Sequence, residues 1–420
     1  MKLDHTAVGL LLALAMAGTA LAQAATPTPK EEKLPKWRID PYTRNEPEAL
    51  AKAGYVSFGP FPFGHVGVNP VESKHIDEFS QYVQILWIET KHFRLGINLP
   101  KWTVPFDPET RAKIRKELER LAEKIPRIDP KAKVLDPWLR AHLFAQRVED
   151  IYDEFQKLAG TKDEDWPQDP DKVVITPGAR YMGQGPFLGM KDKYLLLLWD
   201  KEGSHRGFMK AYLGRDSRFG QRWHFKETSS LLYTVSIESE EGRLKHDTAL
   251  HGNVAFNVSQ NLLDGFRFYS YDLPVWVREG LGHWFERRVD PKWNTFDQNE
   301  GSPADMKNTW KWEPYTRNLV VTGGKFAPFA EAFTWRDFGK ITFNDHVAIW
   351  SRIDWLLQQE PERWQNFLFE IKGRVTKEWK PDQEDLVGAT REALQKAYGF
   401  SVLQFDQKWG EWVKTTYPAQ

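Results

Sequence analysis

Two hydrophobic patterns divide the chain into short apolar runs and longer periodic segments. The runs at 85–99, 193–199 and 231–237 are rich in aliphatic and aromatic residues and predict β-strands. Apolar residues that recur every three or four positions predict helices. These helices lie at about 204–213, 244–263, 274–288, 346–358, 362–372, 389–398 and 403–415. Strands and helices are therefore mixed in the first part of the chain, and the C-terminal part is mainly helical.

Two further helices have clear start signals. Asp107 and Asp136 are each followed by proline. An aspartate before the first turn can accept hydrogen bonds from free N–H groups, and proline fits the first helical position. Apolar residues continue at helical spacing after Asp136, and Gly160 is predicted to end that helix.

The first 24 residues have the pattern of a secretory signal peptide. Lys2 is followed by an apolar run at 8–17, which is too short to span a bilayer, and Ala22-Gln23-Ala24 is a small-residue cleavage site. No later run approaches the length of a membrane-spanning helix. We therefore predict export to the periplasm or out of the cell, with no membrane span after cleavage.

The distribution of proline, glycine and polar residues suggests four parts. The signal peptide, 1–24, is followed by an irregular N-terminal segment at 25–84, where proline and glycine are frequent. A core is predicted at 85–290 and a helical region at 291–420, with the polar stretch 295–312 near the boundary.

Charge and cysteine content exclude several functions. The chain has 58 basic and 58 acidic residues, so there is no net positive charge to attract nucleic acid. It has no cysteine, so a thiolate nucleophile and a thiolate zinc site are both excluded. The 19 Trp, 26 Phe and 13 Tyr can supply a large core that is not held by disulfides.

One segment carries a recognisable motif. Pro274-Val-Trp276-Val-Arg-Glu279-Gly280 resembles the Pro-x-Trp-x-x-Glu-Gly segment of the gluzincin zinc metallopeptidases, in their secreted bacterial peptidase-MA-like branch. The resemblance implies that Glu279 is the third zinc ligand and that His251, 28 positions earlier, is the first histidine ligand. It also implies an α+β fold, with a gluzincin-like core of a small mixed sheet and helices before the helical C-terminal region.

The His-Glu-x-x-His motif of that family is incomplete here. Gly252 stands where the family has its general base, and Ala255 stands where it has the second histidine. Catalytic zinc needs about three protein ligands, a bound water and a group that accepts the proton of this water. We therefore expect a non-catalytic exported protein without a cofactor, which binds a peptide, a protein or a cell-envelope component.

Two alternatives follow from other residues. Asp247 and His251 are four positions apart, as are Glu279 and His283, so each pair shares a helix face. If the two faces meet, the four side chains would surround a zinc ion and form a rearranged hydrolase site. In the other alternative, exposed tryptophans stack on sugar rings and the chain binds glycans.

Overall fold

The computed structural model describes residues 34–419 except 82, 174–180, 271, 297–308, 340, 377, 379, 381 and 383. The predicted signal peptide lies outside the described residues, as does most of the predicted boundary at 295–312. The chain divides into two units, Met1–Arg38 and Ile39–Gln420, and Lys36–Arg38 in the first forms a 3₁₀ turn. None of the helices in the described part is long and apolar enough to cross a membrane.

A five-stranded mixed sheet lies in the centre of the second unit. Its strands are β3 (Leu86–Glu89), β4 (Phe93–Asn98), β7 (Tyr194–Trp199), β8 (Gln221–Phe225) and β9 (Ser230–Ser236). Their spatial order is β3-β4-β7-β9-β8. The two central pairings, β4 with β7 and β7 with β9, are parallel, and the two outer pairings are antiparallel. All residues of β7 and β9 are buried, as is typical of strands covered on both faces.

Helices and small two-stranded sheets surround this central sheet. The small sheets pair β1 (Pro62–Val66) with β2 (Asn69–Glu72), and β5 (Trp102–Thr103) with β6 (Val134–Leu135). The helices up to β8 are α1 (Pro47–Ala53), α2 (Ser73–Ser80), α3 (Pro108–Lys124), α4 (Pro137–Ala159) and α5 (Glu202–Leu213). Side chains of alternate β7 residues, including Leu197 and Trp199, share a core with Phe208 and Met209 of α5. Helices α4 and α6 contact β4 and β9, respectively.

After β9, the regular elements in the described part of the chain are helices. These helices are α6 (Asp247–Gly265), α7 (Val275–Val289), α8 (Trp312–Thr322), α9 (Phe329–Ala332), α10 (Phe343–Leu357), α11 (Pro361–Lys372), α12 (Leu386–Tyr398) and α13 (Val402–Thr416). Helix α7 packs against both α6 and α10, so the predicted core and the helical region are in direct contact. The predicted α+β class is confirmed.

Local start and stop signals are confirmed, whereas two other predictions differ from the structure. The side chains of Asp107 and Asp136 accept hydrogen bonds from the first turns of α3 and α4, and Gly160 ends α4 in the left-handed conformation. The run 85–99 is a hairpin of β3 and β4 rather than one strand. The segment predicted to be irregular up to residue 84 contains α1, α2, β1 and β2.

Candidate functional site

Two glycines allow other helices to approach α7 closely. A Cβ atom at Gly282 would lie 2.7 Å from Gln260 Nε2 and 2.8 Å from the ring of Phe256, both on α6. A Cβ atom at Gly280 would lie 2.3 Å from Cγ1 of Ile353 on α10. The side chains of α7 next to these glycines are therefore enclosed between α6 and α10.

A buried group of three side chains with metal-ligand atoms lies where α7 meets α10. Glu279 and His283 are one turn apart on α7, and His346 is on α10. Each offers one ligand atom, and these atoms all lie within 4.8 Å of one another. His283 Nε2 is 2.9 Å from His346 Nδ1, which is 3.8 Å from Glu279 Oε2. The three residues are 1%, 0% and 0% exposed, and no other such group was found in the described part of the chain.

Neighbouring polar groups fix the orientation of these side chains. Gln260 Nε2 donates a hydrogen bond to Glu279 Oε1 at 3.2 Å. His283 Nδ1 is 2.6 Å from Glu286 Oε1, and the backbone N–H of Thr295 donates to Glu286 Oε2 at 2.8 Å. The carboxyl group of Glu286 is thus held in place on the side of the imidazole that faces away from His346.

Aromatic rings enclose His283. The ring centres of Phe256, Phe296 and Trp312 lie 5.0, 5.7 and 5.1 Å from the centre of its imidazole. Water is therefore excluded from most of the surface of this imidazole.

The enclosure changes the acid–base behaviour of the group. Burial, together with nearby His346 and Arg287, holds the pKa of His283 well below its usual value. Burial also raises the pKa of Glu286 well above its usual value, although the hydrogen bonds from Thr295 oppose this shift. Both side chains therefore favour their uncharged forms.

Asp247 lies in a different contact. It is fully buried, with one carboxylate oxygen 3.1 Å from Arg140 Nη2 and the other 2.8 Å from Arg147 Nη2. Burial alone would raise the pKa of Asp247, but the charges of Arg147 and Arg140 outweigh it and lower the pKa to about 2. This carboxylate is part of a buried ion-pair network at the start of α6.

His251 faces an open groove. Its side chain is 16% exposed, and its Nδ1 is 3.5 Å from Glu117 Oε1. Burial and the charge of Arg147 hold the pKa of His251 well below its usual value. Ala255, one turn further along α6, lines the same groove.

The groove lies between α3, α4, α6 and α7 and has a volume of about 630 Å³. Its apolar lining residues are Ile114, Ile151, Ala255, Phe285 and Val289. Its basic lining residues are Lys113, Lys116, Arg120, Arg147, Lys157 and Arg288. Its acidic lining residues are Glu117, Asp150, Asp153 and Glu154. Apolar surface and charges of both signs are therefore present in one groove.

The structure brings together two of the four residues that the sequence suggested as ligands of a rearranged site. Glu279 and His283 belong to the buried group, together with His346. Asp247 contacts two arginines, and the nearest ionic partner of His251 is Glu117. Glu279, which the resemblance to gluzincins would pair with His251, has His283 and His346 as neighbouring metal-ligand groups.

Sequence reasoning missed His346 and Glu286. Glu286 is three positions after His283 on α7, so helical spacing could have indicated it. His346 is 63 positions after His283, and only the packing of α10 on α7 brings the two together. A histidine within the buried, largely apolar helix α10 was the one available signal.

The chain was compared with protein-family models, with curated proteins and with solved structures, and none of them matches. The function must therefore be argued from the groove and the buried group themselves.

Proposed function

We propose that this chain is an exported, non-catalytic binding protein that holds a peptide segment in the groove in front of α6. One observation carries the proposal. His251 and Ala255, at the positions where the gluzincin motif has its two zinc-binding histidines, line the groove, whereas Glu279 is buried beside His346. A ligand in the groove would thus meet one imidazole in place of a three-ligand metal centre.

The composition of the groove suits a peptide. Its volume of about 630 Å³ is within the usual range of ligand sites. The apolar residues offer contact to side chains of the ligand. Several of the charged residues already pair with one another, as Arg120 does with Asp150 and Arg288 with Glu154. Such pairs keep both signs of charge at fixed positions, where they can select among peptides by charge.

The two alternative functions have less support. The rearranged hydrolase site would need Asp247 and His251 beside Glu279 and His283. Asp247 instead contacts Arg140 and Arg147, and Glu279 is 1% exposed. Glycan binding by stacking would need exposed indole rings, and the tryptophans in the described part of the chain are buried or half-buried. Export is supported by the sequence pattern of residues 1–24.

Binding can be tested with a library of fluorescent peptides of varied charge, using the chain from residue 25 and fluorescence anisotropy. Lys116→Glu and Asp153→Lys reverse single charges in the groove. We expect each to change the affinity of the selected peptides by about two- to fivefold, as for single exposed ion pairs. Lys210→Glu on α5 makes the same kind of change outside the groove and should leave affinity unaltered.

Catalysis is tested in parallel by incubating the same library with the protein and zinc, and analysing the peptides by mass spectrometry. We expect intact peptides. Cleavage that disappears in a Glu279→Ala variant would refute the non-catalytic function. Binding that neither groove substitution alters would refute the assignment to the groove.

A further inference from the structure

We propose that Glu279, His283 and His346 bind one divalent transition-metal ion, with zinc the best match, in an enclosed site that ties α7 to α10. Carboxylate oxygen and imidazole nitrogen are both ordinary zinc ligands. A tetrahedral site with metal–ligand bonds of about 2.0–2.1 Å places its ligand atoms roughly 3.3–3.4 Å apart. The distances of 2.9 Å between the two imidazoles and 3.8 Å between His346 and Glu279 lie on either side of this value.

The groups around the three ligands have the arrangement that metal sites use. A histidine that binds a metal through one nitrogen usually contacts a carboxylate or carbonyl oxygen through the other, which fixes the ring. His283 has this arrangement, because Glu286 lies at its Nδ1 and its Nε2 points to His346. Gln260 holds one oxygen of Glu279, and the other oxygen lies toward His346.

Charge also favours an ion at this position. Glu279 and Glu286 bring two carboxyl groups into a region that is almost fully buried. Buried carboxylates are stable when a partner balances their charge. A divalent cation bound by Glu279 would balance the charge of this carboxylate.

The site differs from the one that the gluzincin resemblance implies. It shares only Glu279 with that arrangement, and its two histidines come from α7 and α10 rather than from α6. Since the three side chains are almost completely buried, the ion would join helices and would not meet a substrate.

The first test measures metal content. The chain is purified without chelators and analysed by elemental mass spectrometry, and we expect about one zinc per chain. Glu279→Gln and His346→Gln each remove a ligand and should lose the ion. His205→Gln replaces a histidine of α5 that is equally buried but outside the group, and it should retain the ion.

The second test does not depend on the variants' stability. The wild-type protein is stripped with chelator and titrated with Co²⁺, and we expect the visible absorption of a low-symmetry cobalt site that saturates at one ion per chain. Zinc at about 100 times its Kd should also raise Tm by about 3–5 °C. Absence of bound metal together with no response to zinc or cobalt would overturn the proposal, as would full metal content in folded Glu279→Gln and His346→Gln. Peptide affinity is measured separately, so failure of this proposal is distinguishable from failure of the peptide-binding function.

Discussion

Replacing Gly252 with alanine tests whether packing requires a glycine at the position where gluzincins have their general base. A Cβ atom there would have one neighbouring heavy atom within 4 Å beyond the local helix backbone, the carbonyl oxygen of Trp293 at 3.8 Å. This is an ordinary contact distance. Glycine in a helix interior is less stable than alanine by about 0.5–1 kcal/mol, so Gly252→Ala should raise the free energy of unfolding by about this amount.

Gly280→Ala is the matched control, because it makes the same change inside a neighbouring helix. Here the new Cβ would lie 2.3 Å from Cγ1 of Ile353 and 3.0 Å from the backbone oxygen of Ile349. Overpacking of this kind costs about 1–3 kcal/mol, which exceeds the gain in helix propensity. We expect a net loss of about 0.5–2 kcal/mol after subtracting that gain.

Urea unfolding of the three proteins measures both effects as shifts of the midpoint at constant m value. A destabilised Gly252→Ala protein, or equal shifts for the two variants, would refute the packing argument. If Gly252→Ala is stabilising, steric crowding does not explain why this position lacks a side chain. The missing general base would then fit a protein without selection for catalysis.

Two further predictions concern α6. The lowered pKa of Asp247, about 2 against an ordinary 3.8, means that its ionised form contributes about 2 kcal/mol of stability above pH 4, which is lost as the pH falls toward 2. The Asp247→Asn protein should therefore have a free energy of unfolding about 3–5 kcal/mol lower than that of wild type at pH 7. As the pH falls toward 2, it should lose less stability than wild type does. An equal loss in the two proteins would contradict this. The double change Gly252→Glu with Ala255→His restores the broken motif but should not cleave peptides with added zinc, because Glu279 lies beside His346. Zinc-dependent cleavage in a mass-spectrometric assay would disprove that reasoning.

Local signals in the sequence were sufficient to predict helix ends but not turns made by distant contacts. Asp107, Asp136 and Gly160 cap helices through atoms within four residues, so their neighbours along the chain determine the outcome. The turn that splits 85–99 into two strands contains neither glycine nor proline. It is held by Glu149 of α4, which accepts hydrogen bonds from Thr90 Oγ1 and the N–H of His92 at 2.5 and 2.9 Å.

The candidate site shows the same difference between local sequence signals and contacts between distant residues. Helical spacing correctly placed Glu279 and His283 on one face, because that relation depends only on helix geometry. The same rule placed Asp247 and His251 on one face of α6, but it contained no information on what that face would meet. The partners turned out to be Arg140, Arg147 and Glu117, which come from other helices.

The peptide groove and the proposed metal site lie on different faces of α7. Arg288 is nine residues after Glu279, and at 100° per residue it lies on the opposite side of α7. Arg288 lines the groove, whereas Glu279 belongs to the buried group. Val289, which also lines the groove, lies about 80° from Glu279 around the helix axis, so a peptide in the groove and an ion at Glu279 would occupy different but adjacent faces of one helix. Removal of the ion could alter peptide affinity by moving α6 or α7, and the close approach of Ile353 at Gly280 and of Phe256 at Gly282 restricts movement of α7.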